Sequence, residues 1–125
     1  MTLAHLVLNV TDLERSKAFY EKFLRGFAFS DGDEEYACYR GPDMGVWLVA
    51  VGGSERVADD RVGLHHMAFK AETMEELKEW EAHFRDQGIE MQKGGITDDD
   101  YGGTGIFLRD PDGFRLEIHL GSVAE

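Results

Sequence analysis

Two segments of the chain repeat each other. HLVLNV (residues 5–10) and HMAFKA (residues 66–71) each begin with a histidine and then alternate apolar residues with small or polar ones. A period of two is typical of a β-strand with one buried face. A helix-start signal follows each segment, because Thr11 and Thr73 each have a glutamate three residues later, the spacing of a capping box. The chain therefore predicts two copies of one strand–helix unit.

The match between the two halves continues beyond the helix start. In each half a segment with apolar residues three and four apart runs up to a glycine, Gly26 or Gly88. Short strand-like runs follow at 27–30, 35–40 and 45–51, and again at 89–93, 104–109 and 114–120. The charged, glycine-bearing segment GGSERVADDRVG (52–63) has the composition of a linker. The prediction is an α+β fold in which one domain contains two βαβββ modules, residues 1–51 and 64–121.

A ferredoxin-like α+β domain is the alternative fold, since it also combines helices with antiparallel strands. That fold does not require histidines at equivalent starts of two repeats, so we favour the paired modules. The 125 residues are enough to bury one domain core.

The charge balance argues against some partners. The formal net charge is −12, which repels phosphate backbones and anionic membranes, so neither nucleic acid nor a membrane is an expected partner. No apolar run approaches the length of a membrane span, and MTLAHLVLNV lacks the basic start of a secretory signal. A single cysteine, Cys38, gives no internal disulfide. We expect a cytoplasmic protein.

Strand alternation predicts which histidines share a face. In the two strands that begin with histidine, the large apolar side chains should pack against a helix: Leu6, Leu8, Val10, Met67 and Phe69. His5 and His66 then occupy matching positions on the opposite face. His65 falls on the helix side, so His66 is the better candidate for a functional group.

A carboxylate in the last strand joins these histidines. Asp110–Gly113 (DPDG) predicts a tight turn, and the following alternation places Glu117 on the polar face of its strand. Two histidines and one carboxylate suit Fe, Mn, Ni, Co or Zn as a divalent ion, and leave coordination positions open. Each residue alone has an ordinary alternative, such as a strand-end histidine or a solvated charge pair. Their equivalent places in a repeat favour a metal site.

Three segments resemble the vicinal oxygen chelate superfamily, which includes glyoxalases, bleomycin-resistance proteins and extradiol dioxygenases. They are HLVLNVTDLERSKAFYEKFL, GLHHMAFKAET and the closing hairpin FLRDPDGFRLEIHL, the most specific of the three. The resemblance implies two curved half-barrels that form a cup around one divalent metal, held by His5, His66 and Glu117. It also implies a homodimer, in which modules often pair between chains, and Lewis-acid catalysis on a small-molecule substrate.

The chain departs from each well-known subfamily. Glyoxalase I has a further ligand in its fourth strand, whereas GVWLVAV (45–51) contains no ligating side chain. Extradiol dioxygenases usually carry a histidine and a tyrosine in the seventh strand, where this chain has Phe107 and no histidine between residues 84 and 118. Fosfomycin thiol transferases share the three ligands and an ending similar to EIHLGSV, but tend to have threonine at Val7 and tyrosine at Phe107.

Five further residues are candidates for contacting a substrate, either on the ligands' face or at the mouth of the cup: Tyr39, Trp47, Tyr101, Phe107 and Arg109. The aromatic ones could equally fill the core. Arg109 or Arg115 could clamp a substrate carboxylate, although a surface ion pair would also explain either residue.

The favoured function is that of a metal-dependent enzyme acting on a small oxygenated or electrophilic metabolite or antibiotic. Addition, isomerisation and oxygenation all remain open, as for a thiol transferase, a lyase or isomerase, and a dioxygenase. The alternative is a protein of the bleomycin-resistance type, which sequesters its ligand without catalysis. Such proteins generally lack the three metal ligands, and His5, His66 and Glu117 are all present here.

Overall fold

The computed structural model describes residues 1–100 and 102–121. The chain divides into two compact units, Met1–Val57 and Ala58–Glu125, so the boundary falls within the segment predicted as a linker. Each unit contains a four-stranded sheet and one α-helix in the order βαβββ. The predicted α+β fold of two βαβββ modules is therefore confirmed.

The first unit contains β1 (His5–Val10), α1 (Leu13–Phe23), β2 (Ala28–Gly32), β3 (Tyr36–Arg40) and β4 (Gly45–Ala50). Its strand order is β1-β4-β3-β2. β1 runs parallel to β4, and the other neighbours are antiparallel.

The second unit contains β5 (Met67–Ala71), α2 (Met74–Asp86), β6 (Thr97–Asp98), β7 (Thr104–Arg109) and β8 (Arg115–Leu120). Its strand order, β5-β8-β7-β6, matches the first unit when β5 is set against β1. β5 is parallel to β8, as β1 is to β4. The sequence repeat is thus a repeat of topology.

The two helices begin with side-chain caps of different kinds. At α2 the Thr73 hydroxyl accepts a hydrogen bond from the Glu76 backbone N–H at 3.1 Å, as the sequence predicts. At α1 the prediction was wrong by one residue, because Asp12 and not Thr11 caps the helix and accepts from the Arg15 N–H at 3.1 Å. Aspartate is a preferred N-cap, so the helix begins after it. Neither helix is long and apolar enough to cross a bilayer, and no other α-helix occurs in the described residues.

The sixth strand lies later than the sequence predicted. Residues 89–93 form no strand, and β6 comprises only Thr97–Asp98. Gln92–Gly94 instead form a short 3-10 turn, in which Lys93 and Gly94 have φ of 54° and 79°. Backbone with positive φ cannot continue a strand, and glycine adopts it without steric cost. The apolar alternation in this segment therefore does not mark β-structure.

The core of each unit lies between its helix and one face of its sheet. In the first unit it includes Leu8, Val10, Tyr20, Phe23, Leu24, Tyr39, Val46 and Leu48. In the second it includes Met67, Leu77, Phe84, Ile106, Leu108, Leu116 and Ile118. The sheet face away from the helix is consequently the one left to carry polar groups.

The closing hairpin is fixed by a buried aspartate. Asp110 Oδ1 accepts hydrogen bonds from the backbone N–H groups of Asp112 at 3.0 Å and Phe114 at 2.8 Å. Gly113 completes the turn with a φ of 92°, as the DPDG motif predicts. This turn sets the β7–β8 register, which places Glu117 opposite Phe107.

Candidate functional site

Glu117 and His66 come together on the second sheet. Glu117 is paired with Phe107 on β7 and Ala68 on β5, and it is 4% exposed. Its neighbours Leu116 and Ile118 are buried in the core, so alternation turns Glu117 to the other face. His66 immediately precedes β5, and its Nε2 lies 3.1 Å from Glu117 Oε1.

This separation suits two ligands of one divalent ion. Imidazole nitrogen and carboxylate oxygen bind such ions at about 2.0–2.2 Å, which puts two neighbouring ligand atoms about 2.9–3.6 Å apart. The donor types and their spacing in the second unit therefore fit a metal. Within the residues that the structure describes, no three histidine, cysteine or acidic side chains form a complete metal-binding group.

His5 belongs to the first unit, at the start of β1. It is exposed and pairs with Gly45, and its ring lies 6.3 Å from that of Trp47. Two residues after His5, Val7 pairs with Trp47, just as Ala68 pairs with Glu117 two residues after His66. Trp47 thus occupies the position in the first sheet that Glu117 occupies in the second. The first unit offers one candidate ligand and the second unit offers two.

The prediction that His65 faces the helix side was wrong. His65 is exposed, and its Nδ1 lies 2.8 Å from His66 Nδ1 while its Nε2 lies 2.7 Å from Arg115 Nη1. Both histidines precede β5, so strand alternation does not apply to them. His65 thus contacts His66 at Nδ1 while Nε2 of His66 faces Glu117, so His65 is placed to orient the ring of His66.

His119 holds the second oxygen of Glu117. Its Nδ1 lies 3.0 Å from Glu117 Oε2, while Oε1 faces His66. The sequence analysis did not single out His119, although the E-x-H spacing on one strand face was a usable signal. A Cβ on Gly105 would lie 3.0 Å from Glu117 Oε2 and 2.6 Å from the Ile118 carbonyl oxygen. Glycine at 105 therefore leaves room for the carboxylate.

A pocket of about 240 Å³ adjoins this pair of groups. Two of the residues predicted to contact a substrate, Phe107 and Arg109, lie in its wall. Other wall residues are His65, His66, Arg115 and Glu117. The pocket thus combines two of the three candidate metal ligands with an aromatic ring and two guanidinium groups.

Asp59 bridges the two arginines of the pocket wall. Arg109 donates to both carboxylate oxygens, with Nη1–Oδ1 and Nη2–Oδ2 distances of 3.0 and 2.9 Å. Arg115 Nη2 lies 3.0 Å from Asp59 Oδ2. The hydrogen bond from Arg109 is the main reason that the pKa of Asp59 falls to about 2. Sequence reasoning did not find Asp59, because one acidic residue among several in a linker carries no pattern.

The remaining predicted substrate contacts have different outcomes. Tyr39 was misplaced, because it pairs with Val46 on the helix side of its sheet, where it is buried. Its hydroxyl donates to Glu21 Oε2 at 2.7 Å, and burial together with this bond raises the pKa of the Tyr39 phenol. Trp47 is half-buried and stacks on Tyr36 with ring centroids 5.5 Å apart. Tyr101 lies outside the described residues.

Comparison with known families identifies the chain. The model of the Glyoxalase/Bleomycin resistance protein/Dioxygenase superfamily matches residues 2–118. The chain belongs to this superfamily. The match includes nearly all of both modules of this Glyoxalase superfamily member, with His5, His66 and Glu117.

Individual relatives agree with this assignment. The chain is 33% identical to the metallothiol transferase FosB of Bacillus licheniformis, over 95% of this chain and 75% of that protein. It is 26% identical to FosB of Staphylococcus saprophyticus, over 99% of this chain and 80% of that protein. A glyoxylase/bleomycin resistance protein/dioxygenase domain from Frankia sp. has the same fold, with a TM-score of 0.75, 24% identity, and coverage of 100% of this chain and 95% of that one.

Proposed function

We propose that this protein is a divalent-metal-dependent enzyme that activates a small electrophilic or oxygenated molecule for attack by a nucleophile, with a thiol as the first nucleophile to test. The observation that carries the proposal is the His66 Nε2–Glu117 Oε1 separation of 3.1 Å beside a pocket. The relatives named metallothiol transferases support the choice of a thiol.

His66 and Glu117 would hold the metal from the second unit, and His5 would be the third ligand. The ion, one of Fe, Mn, Ni, Co or Zn, would act as a Lewis acid on a substrate oxygen. His119 keeps the Glu117 carboxylate in position, because it bonds to the oxygen that does not face His66. Phe107, which pairs with Glu117, adds an apolar surface to the pocket.

The fourth strand favours addition over proton transfer within the substrate. An isomerisation needs a base that removes a proton and returns it. Trp47 stands in β4 at the place equivalent to Glu117, and β4 has no acidic residue or histidine. An external thiolate requires no such base, because its sulfur forms the new bond to carbon as the carbon–oxygen bond of the electrophile breaks, and the oxygen released takes a proton from solvent.

Metal analysis and a substrate panel test this function. Protein purified without chelators should contain about one divalent ion per chain, which elemental analysis by mass spectrometry would measure. The metal-loaded protein should consume a thiol together with an epoxide, and a chelator should abolish the reaction until metal is returned. Tight ligand binding without metal or turnover would instead support sequestration.

We also propose that the enzyme is a homodimer in which each site takes His5 from one chain and the other two ligands from its partner. His5 and the His66–Glu117 pair belong to different compact units, and the resemblance to the superfamily implies modules that pair between chains. Two complementary variants, His5→Ala and Glu117→Ala, distinguish this arrangement from one within a single chain.

In a heterodimer of these two variants, one shared site would carry both substitutions and the other would carry neither. We therefore expect each variant alone to bind almost no metal, and the differently tagged, co-purified heterodimer to bind about one ion per dimer. Sites within single chains would leave every site in the heterodimer damaged, and no metal would be recovered. A monomeric mass from light scattering would also contradict the proposal.

A further inference from the structure

The two arginines of the pocket wall form an unusual strand pair. Arg109 on β7 lies directly opposite Arg115 on β8. Like charges at directly opposed positions of a sheet destabilise it. A shared anion removes this repulsion, and here the Asp59 carboxylate is within 3.0 Å of nitrogen atoms of both guanidinium groups. The pair is thus arranged around a carboxylate.

The arginines are held in position independently of Asp59. Arg109 Nη1 also donates to the Gly113 carbonyl oxygen at 2.9 Å, within the turn that Asp110 fixes. Arg115 Nη1 contacts His65 Nε2 at 2.7 Å. Two guanidinium groups held in this way form a preorganised binding site for a carboxylate. Arg109 can donate a hydrogen bond to each of the two carboxylate oxygens, as it does to those of Asp59.

Asp59, by contrast, can be displaced. It lies in a segment without helix or strand, and its side chain is 40% exposed. A substrate carboxylate would make the same charge-assisted hydrogen bonds to the two guanidinium groups, so the exchange replaces one ion pair with another. The pKa of about 2 means that Asp59 is ionised at neutral pH, and it therefore occupies the arginines as a charged group.

The arginine pair is connected to the candidate metal ligands. His65 contacts Arg115 with one ring nitrogen and His66 with the other, and His66 contacts Glu117. The same pocket is lined by all of these side chains and by Arg109. A molecule in this pocket would meet both the arginine pair and the two candidate metal ligands of this unit.

We propose that Arg109 and Arg115 form a carboxylate-binding subsite, which Asp59 occupies until the carboxylate of a small substrate displaces it. This inference rests on the proposed function for the reacting end of the substrate, and it narrows the substrate class to small carboxylic acids. Binding of the carboxylate itself requires no metal, so the two proposals can fail separately.

The test measures the affinity of the metal-free protein for acetate, with binding detected through the NMR signals of the arginine side chains. Asp59→Asn should bind acetate about tenfold or more tightly than the unchanged protein, because the competing internal anion is gone. Asp60→Asn removes the same charge from the next exposed residue and should leave the affinity unchanged. Adding Arg109→Gln to Asp59→Asn should abolish the gain.

Two further measurements complete the test. Inorganic phosphate is the tetrahedral comparator, and it should gain less from Asp59→Asn than acetate does. In the unchanged protein, saturating acetate should speed amide exchange in residues 58–63 as Asp59 is released. Equal acetate affinity in the Asp59 and Asp60 variants, or unchanged amide exchange at saturating acetate, would overturn the proposal. The Arg–Asp–Arg cluster would then only hold the linker segment against the second unit's sheet.

Discussion

Replacing Glu117 by glutamine is expected to weaken metal binding more than 100-fold. The substitution preserves the size of a side chain that is 4% exposed, but removes the charge that attracts a divalent ion. Groups that only orient a ligand typically cost 10–100-fold in metal affinity when they are changed, so a ligand itself should cost more. Competition with a chromophoric chelator would measure the affinity.

His119→Gln and His83→Gln provide the graded comparison. His119 contacts Glu117 Oε2 at 3.0 Å, so its loss should weaken metal binding about 10–100-fold. His83 lies on α2, where it packs on Trp80 and Phe84, and its loss should not change the affinity. Wild-type affinity in Glu117→Gln, or an equal loss in His83→Gln, would show that these residues are not the metal centre.

Phe23→Ala is expected to lower the free energy of unfolding of the first unit by about 3–5 kcal/mol, the usual cost of emptying a buried aromatic site. Phe23 is 1% exposed at the end of α1. It stacks on Phe19 at 5.8 Å and meets Tyr20 edge-on at 6.1 Å. Urea unfolding followed by circular dichroism would measure the change.

Phe29→Ala is the matched control, because it removes the same side chain from the same unit. Phe29 is 54% exposed, and its contacts are an edge-on approach to Tyr39 and a lysine ammonium 5.7 Å from its ring. Such contacts contribute about 1 kcal/mol or less each. Similar losses for the two phenylalanines would mean that the core described for the first unit is wrong.

The sequence predicted the fold because the repeat is periodic and local. Alternation in β1 and β5, and the DPDG turn before β8, depend on neighbouring residues and can be read without tertiary contacts. The prediction failed at β6, where apolar residues at 89–93 alternate without forming a strand. There the backbone turns at Lys93 and Gly94, both of which have positive φ, and hydrophobic periodicity does not reveal such a turn.

The site was predictable only where a strand face determines it. Glu117 lies within β8, and its orientation follows from its buried neighbours. His65 precedes its strand, so alternation gave the wrong direction. Tyr39 was offered as a substrate contact, although its pairing with Val46 places it in the core. Asp59 contacts a partner 50 residues away, and no local pattern encodes a contact of that range.

The equivalence of Trp47 and Glu117 identifies a residue position for protein engineering. Trp47 pairs with Val7, which lies two residues after His5, and Glu117 pairs with Ala68, which lies two residues after His66. In each case the two paired strands are parallel. The chain therefore carries two copies of one structural slot, filled by an aromatic ring in the first and a carboxylate in the second. A carboxylate at residue 47 would give the first half the same pair of groups as the second, one histidine and one carboxylate at equivalent positions.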